Sequence, residues 1–166
     1  MKQLTLAVLI IFTAVLTYQH NSPNAIYKRV KHEIASEGYY IPKQISEKIV
    51  FTPLPGPIYG MSLDMGAYSY NAVHIGINPV WWKTMNYHHR KILIFHEMLH
   101  SIWAVKHCKK EECSMSGGDI KRFTDWNESK EITIKHHLNH DFKIFNFGFG
   151  GNSRKQTDLF TPQTIQ

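Results

Sequence analysis

The sequence predicts an α+β domain in which a small mixed sheet packs on one buried helix. Three observations predict it. The run from Tyr87 to Trp103 holds no Pro or Gly and carries Ile92, Leu93, Ile94, Phe95, Met98, Leu99, Ile102 and Trp103. A helix apolar around most of its circumference is a buried one. From Ala72 to Asn78, Val73, Ile75 and Ile77 alternate with Ala72, His74 and Gly76, the two-residue period of a half-buried strand. From Asn24 to Glu37, Ile26, Val30 and Ile34 recur every four residues, as on one face of a helix. A chain of 166 residues makes one domain and is long enough to bury a core without staples.

The elements follow in chain order. Residues 1–20 read as a signal peptide or signal anchor: Met1-Lys2-Gln3 is a short positive start, and Leu4 to Tyr18 is almost wholly apolar. About 15 such residues suit the h-region of a leader and fall short of a comfortable membrane span. No small-x-small cleavage site follows, so an uncleaved anchor stays open beside a cleaved leader. Either form exports the domain to the periplasm or the extracellular space, with the membrane touched only through an uncleaved leader. The domain itself spans 24–147. After the first helix, Ile49-Val50-Phe51 reads as a strand ending in the stiff loop Thr52-Pro53-Leu54-Pro55-Gly56-Pro57. Gly66 to Tyr70 and Ala72 to Asn78 read as two more strands. Thr124-Asp125-Trp126 opens a final helix running to about His140, and residues 148–166 have the composition of a flexible tail.

Charge narrows the partners. The formal net charge is +6, without a dense basic tract. Lys28-Arg29-Val30-Lys31 is the nearest approach to one, and a solvated helix face explains it better than a nucleic-acid surface. No glycine-rich phosphate loop and no internal repeat is visible. A monomer acting on a peptide or protein, with no nucleic acid, is the expectation.

The helix predicted over 87–103 carries His96-Glu97-Met98-Leu99-His100, an HExxH sequence. Two His four apart lie on one helix face, where both imidazoles reach one Zn²⁺. Glu97 then stands beside the ion as a general base for its water. With 11 His in the chain, an HExxH by chance is the competing explanation. Two His and a Glu on a buried helix are costly without partners, and a zinc ion with its water compensates all three. The next candidate ligand is His107. On a continuous helix it would lie about 16 Å from His96 along the axis, too far to share an ion. The chain must therefore leave the helix after about Trp103 and fold back, with Ala104 or Lys106 taking the turn conformation. Glu128, Glu131 and, less strongly, Asp119 are the acidic alternatives, a Glu on a later helix being the gluzincin solution.

The stretch HEMLHSIWAVKHC, four residues, then Cys113-Ser114-Met115 resembles the metzincin zinc peptidases, and archaemetzincins most closely. The match covers residues 96–115. The spacing to the third His is one residue longer than theirs, the glycine of their motif is absent, and no distant CxxC follows. The resemblance implies a zincin/metzincin-like fold, His96, His100 and His107 as zinc ligands, and Met115 as the Met of the turn beneath the metal. Ser116-Gly117-Gly118 suits such a turn. It also implies that an edge strand before the active-site helix binds extended substrate, and His74-Ile75-Gly76-Ile77 is the candidate.

Cys108 and Cys113 are the only cysteines. In an exported protein an even number is expected to pair, so a disulfide holding the His107 loop is the preferred reading over two reduced thiols or a second metal site. His136, His137 and His140 form a second cluster. His136 and His140 have the i, i+4 spacing of a metal pair, and a solvated polar face is the simpler explanation. The reading that results is a zinc-dependent endopeptidase or related amide hydrolase, with Glu97 as base. The alternatives are a non-catalytic secreted zinc-binding protein and a secreted binding module carrying the motif by coincidence.

Overall fold

The computed structural model describes residues 5–6, 8–11, 13, 21–39, 41, 46–63, 72–116 and 118–138. The expected strand 66–70, His140, Gly117, most of the leader and the tail 148–166 lie outside them. The fold is mixed α+β. Helix α1 (Pro23–Ser36) leads to strands β1 (Ser46–Phe51), β2 (Gly60–Ser62) and β3 (Ala72–Ile77). Helices α2 (Pro79–Thr84), α3 (Tyr87–Trp103) and α4 (Trp126–His137) follow, with a 3₁₀ turn at Ile120–Arg122 before the last. Leu6 and Val8 to Ile11 are helical and exposed. No helix among the described residues is long and apolar enough to cross a membrane.

Local chemistry accounts for the helix ends. Ser22 caps α1 by accepting from the Ala25 amide, with Pro23 in the first turn, where its missing N–H costs nothing. Asn86 caps α3 by accepting from the His89 amide, and Asp125 caps α4 through the Glu128 amide. Helix α2 was not foreseen, yet its signal is plain: Asn78 caps it through the Val80 amide and Pro79 opens it. The same Asn78 amide group donates to the Leu54 and Ile58 carbonyls, pinning the proline-rich loop to the start of the helix.

The sheet order is β1-β3-β2, with β1 parallel and β2 antiparallel to β3. Ile49 lies opposite Ile75, and Ser62 opposite Ile75 on the other side. Val73, Ile75 and Ile77 are fully buried, as the alternation requires. They face α3, whose Ile92, Ile94, Phe95, Met98 and Leu99 are fully buried as well. Helix α3 thus sits at the centre, with the sheet, α1 and α4 packed around it. One polar knot ties the three helices. Lys91 on α3 donates to both carboxylate oxygens of Glu33 on α1 at 2.7 Å, and the Trp126 indole of α4 donates to Glu33 Oε2 at 2.8 Å. The Lys91 ammonium also lies 4.5 Å from the centre of the Trp126 ring. A buried lysine charge is costly alone, and here a carboxylate and an aromatic face compensate it.

The end of α3 decides the site. Ala104 is left-handed, at φ 51° and ψ 28°, and the amides of Ala104 and Val105 both donate to the Leu99 carbonyl. The turn that had to occur without a glycine therefore falls on Ala104. A left-handed residue with a Cβ costs about 1 kcal/mol. Ala104→Gly is expected to raise the unfolding free energy by about 0.5–1 kcal/mol without altering ligand binding, as read from denaturant melts.

Candidate metal centre

Helix α3 presents His96, Glu97 and His100, and the turn at Ala104 brings His107 back over them. The three Nε2 atoms form a triangle with every edge 3.1 Å. His96 Nδ1 donates to the Ser114 carbonyl at 2.6 Å and His100 Nδ1 to the Val105 carbonyl at 2.6 Å. A carbonyl only accepts, so both Nδ1 atoms carry the proton and both Nε2 atoms are bare lone pairs. Two bare lone pairs cannot hydrogen-bond each other across 3.1 Å, and a cation between them resolves the contact. Nitrogens each about 2.0–2.1 Å from one ideal tetrahedral ion stand roughly 3.3–3.4 Å apart, so the triangle is slightly tighter than that and of a size to hold a small metal ion. The carbonyl partners are the outer contacts that orient ligating imidazoles.

The electrostatics agree. Burial pulls His96 down to about 3, with the neighbouring His100 and His107 adding to the effect and the Ser114 carbonyl opposing it. Burial also lowers His100, against the pull of the Val105 carbonyl. Both rings are neutral, the state that binds metal. Glu97 is only 4% exposed. Burial pushes its carboxyl up to about 8, with a backbone hydrogen bond from Ser62 pulling the other way. Strand β2 passes unusually close to it. A Cβ on Gly60 would stand 3.0 Å from Glu97 Oε1 and 3.1 Å from Leu93 Cδ1, so a larger residue there would press on the Glu97 side chain. The Ser62 and Ser101 hydroxyls, 2.6 Å apart, clamp the same strand to α3.

His96, Glu97 and His107 line one cavity of about 480 Å³. Tyr59, Gly60, Asp119 and Phe123 are among the other residues of its walls. The Tyr59 hydroxyl donates to Asp119 Oδ1 at 2.8 Å. Met115 is fully buried one residue beyond the carbonyl that orients His96, a position suited to a packing floor. The acidic alternatives for a third ligand do not join the triangle. Glu128 and Glu131 are exposed on α4, and Asp119 is engaged with Tyr59 and the Lys121 amide.

Two expectations are corrected. The strand His74-Ile75-Gly76-Ile77 is central, paired with β1 on one side and β2 on the other, and cannot add a peptide. Alternating burial marks a strand, but not whether it lies at an edge. Among the described residues, the edge strand clamped to α3 is β2. The second correction concerns the disulfide. Cys108 and Cys113 are both free thiols. Their sulfurs instead converge with nitrogens of His136 and His137, all four ligand atoms lying within 4.8 Å of one another. His137 Nε2 is 3.2 Å from Cys113 Sγ. Thiol titration of the unfolded, non-reduced, metal-stripped protein should therefore find two reactive thiols, and none if a disulfide forms.

Among the described residues, two His/Cys groups could thus hold a metal ion. No protein-family model, no curated protein and no solved structure matches the chain.

Proposed function

We propose that the chain is an exported zinc-dependent peptidase, or a closely related amide hydrolase, with a zincin-like arrangement of helix, sheet and metal ligands. One observation carries the reading. Three imidazole nitrogens stand 3.1 Å from one another, and the buried carboxyl group of Glu97, next in sequence to the first, opens into the same cavity. His96, His100 and His107 would hold the ion. A zinc ion held by three imidazoles keeps a position for water, lowers the pKa of that water and polarises a carbonyl. Glu97 accepts the proton of the attacking water and returns it to the leaving nitrogen. Its apolar surroundings favour both transfers, because a base raised toward neutral pH takes and gives up a proton with little penalty. Among the described residues no strand pairs with the outer edge of β2, and that edge would offer backbone groups to an extended peptide beside the base, leaving side-chain choice to the cavity. A protein that only stored zinc would gain nothing from a carboxylate so tightly fitted against Gly60.

The second group suits a structural ion. Two thiolates and two imidazoles give the closed four-ligand set of such sites, and soft sulfur favours zinc over magnesium or calcium.

The test is hydrolysis of a denatured protein by purified, zinc-loaded chain. Cleavage should stop on chelation and return with zinc. No cleavage of any denatured protein or peptide library by material holding zinc at the three-histidine site would reject the peptidase reading in favour of zinc storage.

A further inference from the structure

We propose that the Cys108/Cys113/His136/His137 centre governs the three-histidine centre: metal held by the first fixes His107 and the Ser114 carbonyl where the second needs them. This inference rests on reading the two groups as two metal sites.

The loop that carries His107 runs over the surface until Cys113, Ser114 and Met115 return to the core. From Ala104 to Glu112 no residue is fully buried, and only the half-buried Val105 and Cys108 pack against the core, so apolar packing holds His107 weakly. The two groups that complete the histidine centre are each joined to a cysteine of the other. His107 precedes Cys108, and Ser114, whose carbonyl orients His96, follows Cys113. The Cys108 amide donates to the Met115 carbonyl at 3.1 Å, laying the two ends of the loop side by side. The Ser114 amide donates to Thr133 Oγ1 at 2.9 Å, and the two hydroxyls are also 2.9 Å apart. Thr133 stands on α4 one turn before His136 and His137. An ion bound by the cysteine and histidine atoms therefore ties residues 108–113 to α4. That tie locks the peptide groups on both flanks. Without it, His107 is held by a solvated loop, and the entropy of ordering that loop is charged to the catalytic ion. The coupling is reciprocal: an ion at the histidine centre tightens the other by the same factor.

Cobalt(II) titration of the metal-stripped full chain separates the two centres, because only the cysteine centre gives a thiolate-to-cobalt charge-transfer absorption. In the wild type that absorption should saturate before the weaker bands of the histidine centre. His136→Ala changes an exposed ligand. It should weaken the thiolate absorption and lower cobalt affinity at the histidine centre about 10- to 100-fold, the size of a lost orienting contact. His136→Cys, which supplies a different ligand atom at the same place, should restore both. A His136→Ala protein that loses the thiolate band and keeps wild-type affinity at the histidine centre would overturn the coupling alone. No thiolate band in the wild type would overturn the second metal site and the coupling with it. Neither result bears on hydrolysis at the histidine centre, which is read separately from cleavage.

Discussion

Glu97→Gln should bind zinc almost as the wild type does and hydrolyse substrate about two to four orders of magnitude more slowly, the usual size of a lost general base. The amide of Gln matches the carboxylate in shape, so the close fit against Gly60 survives. What it cannot do is accept a proton. The same substitution has a second, independent consequence in metal-free protein. Burial holds the Glu97 carboxyl near 8 in the fold, against an ordinary 4.5. Between those values the native state keeps a proton that the unfolded chain has released. The Glu97 contribution to wild-type stability therefore falls as pH rises from about 4.5 to about 8, by up to roughly 1.4 kcal/mol per pH unit. Gln does not titrate, so the metal-free variant should gain on the wild type steadily across that window. His96 titrates in the opposite sense in both proteins and cancels in the difference. Denaturant melts of the two metal-free proteins at pH 5 and pH 8 would show it. Undiminished cleavage by Glu97→Gln would remove Glu97 from the mechanism, while equal stability at both pH values would deny that its carboxylate is buried at a cost. A residue that destabilises the empty fold and is needed for turnover is the expected signature of a functional group.

Much of the frame was legible from the sequence for a physical reason: long elements average over many residues. Helix α3 begins and ends where its uninterrupted run from Tyr87 to Trp103 predicts, and the alternation of Val73, Ile75 and Ile77 marks β3. The break after Trp103 followed from distance alone, since His107 cannot share an ion with His96 along a straight helix. Short elements escaped. Strand β2 has three residues, of which only Ser62 is buried, so it offers no period to detect. Its importance comes from what it touches, Glu97 through Gly60, which is tertiary information. The cysteine partners escaped for a related reason. Parity and export speak only of pairing two sulfurs, and helical periodicity favoured His136 with His140. The structure uses the adjacent His136 and His137, whose rings stack 4.5 Å apart at the last turn of α4. Neighbouring positions on a helix point about 100° apart, so no spacing rule brings them together. The end of the helix and the loop from Cys108 to Cys113 do so in space.

His107→Ala should weaken zinc binding at the three-histidine centre sharply, by several kcal/mol judged from the size of structural zinc affinities. Glu128→Gln and Glu131→Gln should leave it nearly unchanged. The geometry explains the contrast. His107 Nε2 stands 3.1 Å from both partner nitrogens, whereas the two glutamates are exposed on α4. Removing His107 leaves two bare imidazoles, and both are needed to face a cation with one ligand fewer. The fold should tolerate the change, because the His107 side chain is exposed and supports no core residue. Zinc competition with a chelator on the folded variants measures the effect directly, and His107→Asp adds a control, since a carboxylate can ligate zinc and should recover part of the affinity. If His107→Ala held zinc as tightly as the wild type while a glutamate variant lost it, the ligand set would be that of a gluzincin. The turn at Ala104 and the alignment of Cys108 with Met115 would then serve something other than the catalytic ion. The strain at Ala104 argues against that outcome. A left-handed alanine persists only where the surrounding contacts demand it, and here the turn delivers the Val105 carbonyl to His100 and His107 to the third corner of the triangle.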